Sequence, residues 1–372
     1  MKTYVIGYNH YNTLNVLRAI GKEGIPIALI LVSPEGKSFV ARSRYVSECH
    51  YVADEDEALG LLMELSSKSE DRFPVITCGD RIAAGLDRKY DELSRYCILP
   101  TVGKKQGQLV TAMDKCRQIQ MAREAGLLVP ETHDIPKGVL KEDFPLRWPC
   151  LVKPRYSYIG GKDDFRVFYS YEEFSEWLSD GSSRHENMIM QEFLPNDEVL
   201  LIAGVRALSG VNHIAGMITK TKHGSKFNNL GLNSFGSLSP EVEIKTICDR
   251  LLAGLDYYGL YSIELLRVRD ADGKAGYYFM EINLRSDGLL FFYDKAGVNY
   301  SRAWVETCLG KPVSPLKMNK DIVYGMNEFQ YLKNFVNRKS LVSAFRDFRK
   351  ADAFSIFSPS DIMPFFYKFI YK

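Results

Sequence analysis

Apolar residues along the first hundred positions alternate between two rhythms. Unbroken apolar runs at residues 4–7, 25–32 and 73–78 read as short buried strands. Between them, residues 12–21 and 57–65 carry apolar side chains at helical spacing, with Leu14, Leu17, Ala19 and Ile20 on one side of the first helix. Gly21 and Gly24 supply its stop signal, and Pro34 and Gly36 bound the second strand. Strands alternating with helices predict parallel βαβ units, here a small doubly wound α/β domain. The loop after the first strand, Gly7-Tyr8-Asn9-His10-Tyr11-Asn12, has one glycine where a dinucleotide fingerprint needs three, which argues against NAD. Asp80, just after the third run, reads as the N-cap of a helix over residues 82–89, in preference to a substrate contact.

The rhythm then changes. A helix over 114–125 stops at Gly126, with Pro130 beyond it. Strand-like segments follow at 148–153, 164–169, 187–193, 198–207 and 213–222, then a helix over 240–257 and strands at 261–268 and 276–283. This is an α+β block with much antiparallel pairing. After Pro315 a short strand leads into a tail rich in Phe, Tyr, Lys and Arg.

Composition narrows the function classes. The 372 residues are 46% hydrophobic and 25% charged, with 48 Lys and Arg against 46 Asp and Glu. A near-neutral balance lacks the basic excess that marks a nucleic-acid partner. No apolar run approaches the roughly 18–20 residues that span a bilayer, and the N-terminus carries no signal-peptide core. The seven cysteines have no CxxC spacing and the six histidines are scattered. The expectation is a cytoplasmic protein with reduced thiols and neither a zinc nor a His-based metal centre.

The richest chemistry lies in residues 261–283. Two β-rich runs flank Asp272-Gly273, a strong hairpin signal. A turn centred between those two residues puts Glu264 opposite Glu281, with Asn283 on the same face. Opposed carboxylates repel. A hard cation reverses the sign, and carboxylate and amide oxygens suit Mg²⁺ held together with phosphates. The alternative is a hairpin whose glutamates simply meet water. Upstream, Lys153 ends an apolar strand before Pro154, where its cation would reach past the sheet, and Gly160-Gly161-Lys162 would fold over phosphates. Lys115 follows Asp114, a plausible N-cap, so cation and helix N-terminus together suit an anion. The strand ending in Gln191-Glu192-Phe193-Leu194 would offer its backbone to an adenine edge, and Glu198 would accept ribose hydroxyls.

In this order, Asp114-Lys115, Lys153-Pro154, Gln191-Glu192-Phe193-Leu194 with Glu198, Glu264, and Glu281-Ile282-Asn283-Leu284-Arg285 resemble the ATP-grasp superfamily. The likeness is closest to the predicted carboxylate–amine ligases related to D-aspartate ligase. Ser43-Arg44-Tyr45-Val46, Gly79-Asp80 and Gly259-Leu260-Tyr261-Ser262-Ile263-Glu264 are also similar to that group. The resemblance implies a doubly wound pre-ATP-grasp domain over 1–110 and an α+β ATP-grasp domain over 111–315 with a small lid at about 145–190. A C-terminal aromatic and basic extension over 316–372 lies beyond the shared motifs. It implies ATP and Mg²⁺ as cofactors. Lys115 and Lys153 would sit on the α- and β-phosphates, the backbone of Glu192, Phe193 and Leu194 on adenine, and Glu198 on ribose. Glu264, Glu281 and Asn283 would carry metal, and Arg285 would meet the γ-phosphate and an acyl-phosphate. Lys220, Lys222 and His223 are equal candidates for a further phosphate or substrate contact.

The implied reaction is amide formation from a small carboxylate and an amine through an acyl-phosphate, a carbon–nitrogen ligase compatible with a homodimer. The alternatives are a thiol or bicarbonate acceptor, or a nucleotide-binding scaffold without turnover. The tail, where Phe345, Phe348, Phe354, Phe357, Phe365, Phe366, Tyr367, Phe369 and Tyr371 interleave with Arg346, Arg349, Lys350, Lys368 and Lys372, reads either as a helical cap on the body or as a peripheral membrane or partner contact.

Overall fold

The computed structural model describes residues 2–135, 141–160, 164–179, 187–195, 198–221, 232–236, 242–269, 272–273, 275–335 and 341–371. The N-terminal part runs β1 (Thr3–Tyr8), α1 (Tyr11–Gly21), β2 (Ile27–Val32), β3 (Glu48–Val52), α2 (Glu55–Ser67), β4 (Phe73–Thr77), α3 (Asp80–Arg88), α4 (Tyr90–Leu93) and β5 (Cys97–Ile98). Its five strands form one parallel sheet in the order β3-β2-β1-β4-β5. The alternating pattern predicted this layer. β3 escaped it because four of its five residues are only partly buried or exposed, so no apolar run marks it. β1 and β4 are neighbours whose chains leave towards different helices. Their C-terminal ends therefore open a crevice, the usual ligand position in such sheets.

A short β6 (Thr101–Val102), α5 (Gln108–Ala112) and α6 (Lys115–Ala125) lead into a second sheet of β7 (Thr132–Asp134), β8 (Cys150–Pro154), β9 (Arg166–Phe168) and β10 (Met188–Glu192), with α7 (Tyr171–Ser179) over it. Its order is β7-β10-β8-β9, all antiparallel, around a small core of Leu146, Cys150, Val152, Phe168, Phe174 and Met190.

The third sheet takes β11 (Glu198–Arg206), β12 (Asn212–Thr221), β13 (Asn233–Gly236), β14 (Tyr257–Arg269) and β15 (Ala275–Asn283), with α8 (Val242–Leu255) between the third and fourth of these. After α9 (Leu290–Lys295) and α10 (Tyr300–Cys308) come β16 (Ile322–Met326), α11 (Glu328–Phe335), α12 (Leu341–Lys350), β17 (Ala353–Phe354) and α13 (Met363–Ile370). The order is β15-β14-β11-β12-β13-β16-β17, with β6 pairing β14. α1, α9 and α10 fill the space between the first and third sheets, and Trp304, fully buried, donates its indole N–H to the Val75 carbonyl of β4 at 3.0 Å. Among the described residues no helix is long and apolar enough to cross a membrane.

Candidate active site

The β14–β15 hairpin places Glu264 opposite Glu281 and Ser262 opposite Asn283. Near the turn the register is one residue different, with Leu265 opposite Phe279 and Arg269 opposite Ala275. The turn is therefore centred on Asp272 rather than between Asp272 and Gly273. Met280 is the extra residue of a β-bulge that returns the glutamates to the expected opposition. β15 is the sheet's edge strand, and α6 covers it. The buried Gln118 amide accepts from the Ile282 N–H at 3.2 Å and donates to the Ile282 carbonyl at 3.1 Å, while the Phe279 N–H donates to the Leu128 carbonyl at 2.8 Å. Gln118 thus plays the part of a neighbouring strand at the residue between Glu281 and Asn283.

The two carboxylates are not left to repel one another. Lys220 Nζ lies 2.7 Å from Glu264 Oε1, and Lys115 Nζ lies 3.9 Å from Glu281 Oε2. Lys222 and His223, the other two basic candidates, lie outside the described residues. Lys153 stands in the interior rather than reaching past the end of the strand, because β8 continues through Pro154. Burial and then the neighbouring charge of Lys115 lower its pKa to about 8, against a partial opposing pull from Glu281 and Glu264. The α6 N-terminus is already satisfied by the protein. Asp114 caps it by accepting from the Cys116 N–H, and the Lys115 N–H donates to the Arg155 carbonyl. The Asp114 carboxylate also takes two bonds from the Arg155 guanidinium, which ties the exit of β8 to the start of α6 and holds Lys115 and Lys153 on adjoining segments.

Arg285, just past β15, turns towards the parallel sheet. Its Nε and Nη2 donate to the two carboxylate oxygens of Asp80 at 3.0 Å each, Nη1 donates to the Ser286 carbonyl, and Nη2 also donates to Asn283 Oδ1 at 3.2 Å. Burial opposes the charge on Arg285, but the Asp80 carboxylate outweighs it and raises the pKa. Asp80 is therefore not the N-cap of α3. Gly79 occupies that position without a side-chain cap, and Asp80 is the first helical residue, its carboxylate drawn across to Arg285.

A cavity of about 630 Å³ joins these groups. Lys220, Glu264, Glu281, Asn283 and Arg285 form one side. The loops leaving β1 and β4 form the other, with His10, Arg81 and Asp80 among the lining residues. His10 caps α1 by accepting the Asn12 N–H, and burial, together with the charges of Arg285 and Lys368, lowers its pKa to about 4, so the ring is neutral at pH 7. Asp287, also lining the cavity, accepts from the Tyr300 hydroxyl at 2.7 Å, and burial pushes its pKa up. Sequence reasoning passed over His10, Arg81 and Asp287. For His10 the glycine-poor loop that argued against NAD was the available signal, since a loop of polar and aromatic residues at a strand's C-terminal end is itself a site feature; Arg81 and Asp287 lie outside that loop.

Lys115 and Lys153 stand beside the cavity without lining it, and the remaining sequence candidates also lie outside its lining. Glu198 is ion-paired with Arg267, its neighbour across β11 and β14. Beyond Gln191, which is buried, the Glu192 N–H donates to the Glu131 carbonyl and the Phe193 N–H to the Pro149 carbonyl. Of the expected loop over the phosphates, Gly161 and Lys162 lie outside the described residues. Among the described residues no group of three or more His, Cys, Asp or Glu side chains is arranged to hold a metal. The oxygen-rich set is two glutamates and one asparagine.

No protein-family model matches the chain. In sequence it is 23% identical over 270 residues to a D-aspartate ligase of Enterococcus faecium (strain Aus0004), a match that covers 66% of this chain and spans 60% of the length of that relative. Its fold is similar to that of an L-amino acid ligase from Bacillus licheniformis, with a TM-score of 0.60 at 16% identity over 82% of this chain and 73% of that one. It is also similar to the biotin carboxylase domain of 2-oxoglutarate carboxylase from Hydrogenobacter thermophilus, crystallised with MgADP, ADP and bicarbonate, with a TM-score of 0.67 at 14% identity over 86% and 73% of the two chains. The chain has the fold of the ATP-grasp ligases.

Proposed function

We propose that the cavity is the active site of an ATP- and Mg²⁺-dependent carboxylate–amine ligase. The observation that carries this reading is the convergence of Glu264, Glu281 and Asn283 on one sheet face with Lys115, Lys220 and Arg285 beside them and Lys153 close by. Two carboxylates and an amide are hard oxygen donors, so the set fits Mg²⁺. Bound there, Mg²⁺ would offset charge on the phosphates during transfer. Lys115 and Lys153 would hold the α- and β-phosphates. Lys220 would exchange Glu264 for a phosphate or substrate oxygen. Residues 1–110 would supply the substrate side of the cavity and residues 111–315 the nucleotide side, with 145–190 as the lid.

The γ-phosphoryl group passes to the substrate carboxylate, forming an acyl O–P bond as the P–O bond to ADP breaks. The amine then attacks the acyl carbon. The C–N bond forms, the C–O bond to phosphate breaks, and the amine's proton leaves with phosphate or to water. No protein nucleophile is required, and the cations and carboxylates of the hairpin side supply the charge that phosphoryl transfer needs. The assay is phosphate release with carboxylate and amine candidates omitted in turn. Release that needs both supports the ligase, and stoichiometric phosphorylation with no amine present overturns it. Because a relative in fold was crystallised with bicarbonate, bicarbonate belongs among the carboxylates tested.

Two further outcomes are expected. With the N–H groups of Glu192 and Phe193 already donated, the base edge would be met by the Glu192 carbonyl and the Leu194 N–H, a pairing that suits adenine and not guanine. ATP is therefore expected to be preferred to GTP by about tenfold or more, at about 1.4 kcal/mol per factor of ten, and equal turnover with both would remove the hinge assignment. For pH, Lys153 is charged below about 8 and neutral above it. If it holds phosphate, kcat/KM for ATP falls as pH rises through about 8, and Lys153→Arg, which cannot deprotonate, flattens that limb. A falling limb left unchanged in Lys153→Arg would show that Lys153 is not the phosphate cation.

A further inference from the structure

We propose that α13, with Arg42 and Arg44 beside it, docks the protein on an anionic phospholipid surface. α13 divides into two faces. Met363, Phe366, Phe369 and Ile370 are 47%, 54%, 55% and 66% exposed. At 3.6 residues per turn they share an arc of about 120°. The other face is pinned to the body: the Phe365 ring packs on Phe329 and Phe357, Arg42 lies 4.6 Å above the Tyr367 ring, and Lys368 lies 4.7 Å from the Phe39 ring.

The helix is held in place from behind. Just before it, buried Asp361 takes the Arg18 Nε at 2.9 Å, the Ser43 hydroxyl at 2.8 Å and the Arg44 N–H at 2.9 Å. Buried Glu328 accepts the N–H groups of Ser355, Ile356 and Phe357. The exposed aromatics therefore belong to a built surface rather than to a loose end. Ring contacts of Phe365 with Phe357, Phe366 and Phe369 make the patch continuous. A contiguous apolar patch on a fixed element marks an interaction site.

Charge selects the occupant. Among the described residues of 328–371, Lys333, Arg346, Arg349, Lys350 and Lys368 stand against Glu328, Asp347, Asp352 and Asp361, of which Glu328 and Asp361 are buried in the contacts just described. Residues 1–327 carry a small acidic excess. Arg42 and Arg44 are exposed and reach the same segment, through the Tyr371 hydroxyl and the Ser360 carbonyl. An apolar helical face flanked by cations matches an interface of acyl chains beneath anionic headgroups. A two-fold pairing of this face with a second copy would set its cations against themselves.

The test is sedimentation of the full chain with vesicles of phosphatidylcholine alone and of phosphatidylcholine mixed equally with phosphatidylglycerol. Binding to the anionic vesicles is expected to be about tenfold or more above that to neutral ones, falling with added salt, since attraction of cations to the headgroups is screened. Phe366→Ser/Phe369→Ser is expected to lose that binding, and Arg42→Gln/Arg44→Gln to lose the anionic preference, both with the native fold retained by circular dichroism. Equal sedimentation with both vesicles overturns the proposal. So does wild-type-like binding by the Phe variant. A wild-type dimer that the Phe variant dissociates, without vesicle binding, would assign the face to a second copy instead.

Discussion

Glu281→Gln is expected to remove most of the thermal stabilisation that Mg-ATP confers and to lower turnover by about 10²–10³-fold, the size associated with losing one electrostatic contact to a transferring group. It is also expected to lower the stability of the ligand-free protein. Lys115 is 3% exposed, has Glu281 Oε2 at 3.9 Å, and adds to the charge felt by buried Lys153. Removing the carboxylate leaves two buried cations with less compensation. The cost is put at about 1–2 kcal/mol, below the range for breaking a fully buried pair because the Glu281 side chain is 23% exposed. Glu264→Gln should weaken Mg-ATP binding similarly but cost less stability without ligand, since its partner Lys220 is more exposed than Lys115. Melting curves with and without Mg-ATP separate these effects. A ligand-free Glu281→Gln more stable than wild type would mean that repulsion between the glutamates dominates. An unchanged Mg-ATP shift would mean that Glu281 does not hold metal.

That expectation also shows where sequence reading stopped. Strand alternation and an Asp-Gly turn were enough to set Glu264 against Glu281, although the turn is centred one half-step away and a bulge at Met280 makes up the difference. What periodicity could not show is which cations face the pair. Lys220 arrives from β12 through the intervening β11, and Lys115 from a helix end more than 160 residues away. The repulsion inferred from two carboxylates alone is therefore relieved in the folded chain before any metal binds. Asp80 follows the same logic. A local reading makes an acidic residue at a helix start a cap, and only the packing of residues 285–286 on the end of β4 reveals its partner. β13, four residues long, and the helices α9 and α10 escaped the pattern because their burial comes from non-local packing. In the tail, the cap reading describes Phe365, which packs inward on Phe329, while Phe366 and Phe369 are exposed.

The second large effect is expected at Arg285. Four of the five N–H donors of its guanidinium are engaged: two on Asp80, one on the Ser286 carbonyl and one on Asn283 Oδ1. The fork that would grip a phosphate in two places is held by Asp80, so the proposed contact with an acyl-phosphate rests on one remaining N–H, aimed by the other four. Lysine has three donors on a single nitrogen and no fixed plane, so it cannot reproduce the Asp80 fork and also present a donor in a set direction. Arg285→Lys is expected to keep ATP affinity within about threefold and to lose amide formation by about 10²–10³-fold, the loss typical of one transition-state donor. Asp80 touches Arg285 and would act through it, as a positioning residue. Asp80→Asn keeps the shape but weakens the hold on the guanidinium, and is expected to lower kcat by about tenfold with little change in KM for ATP, because the charge of Arg285 survives while its aim does not. Phosphate release and amide formation, measured separately in wild type and both variants, decide the matter. Amide formation near wild type in Arg285→Lys would reduce the Asp80–Arg285 pair to a tie between the parallel sheet and the hairpin. A rise in KM for ATP without a change in kcat in Asp80→Asn would move Arg285 from the acyl-phosphate to the ground-state nucleotide.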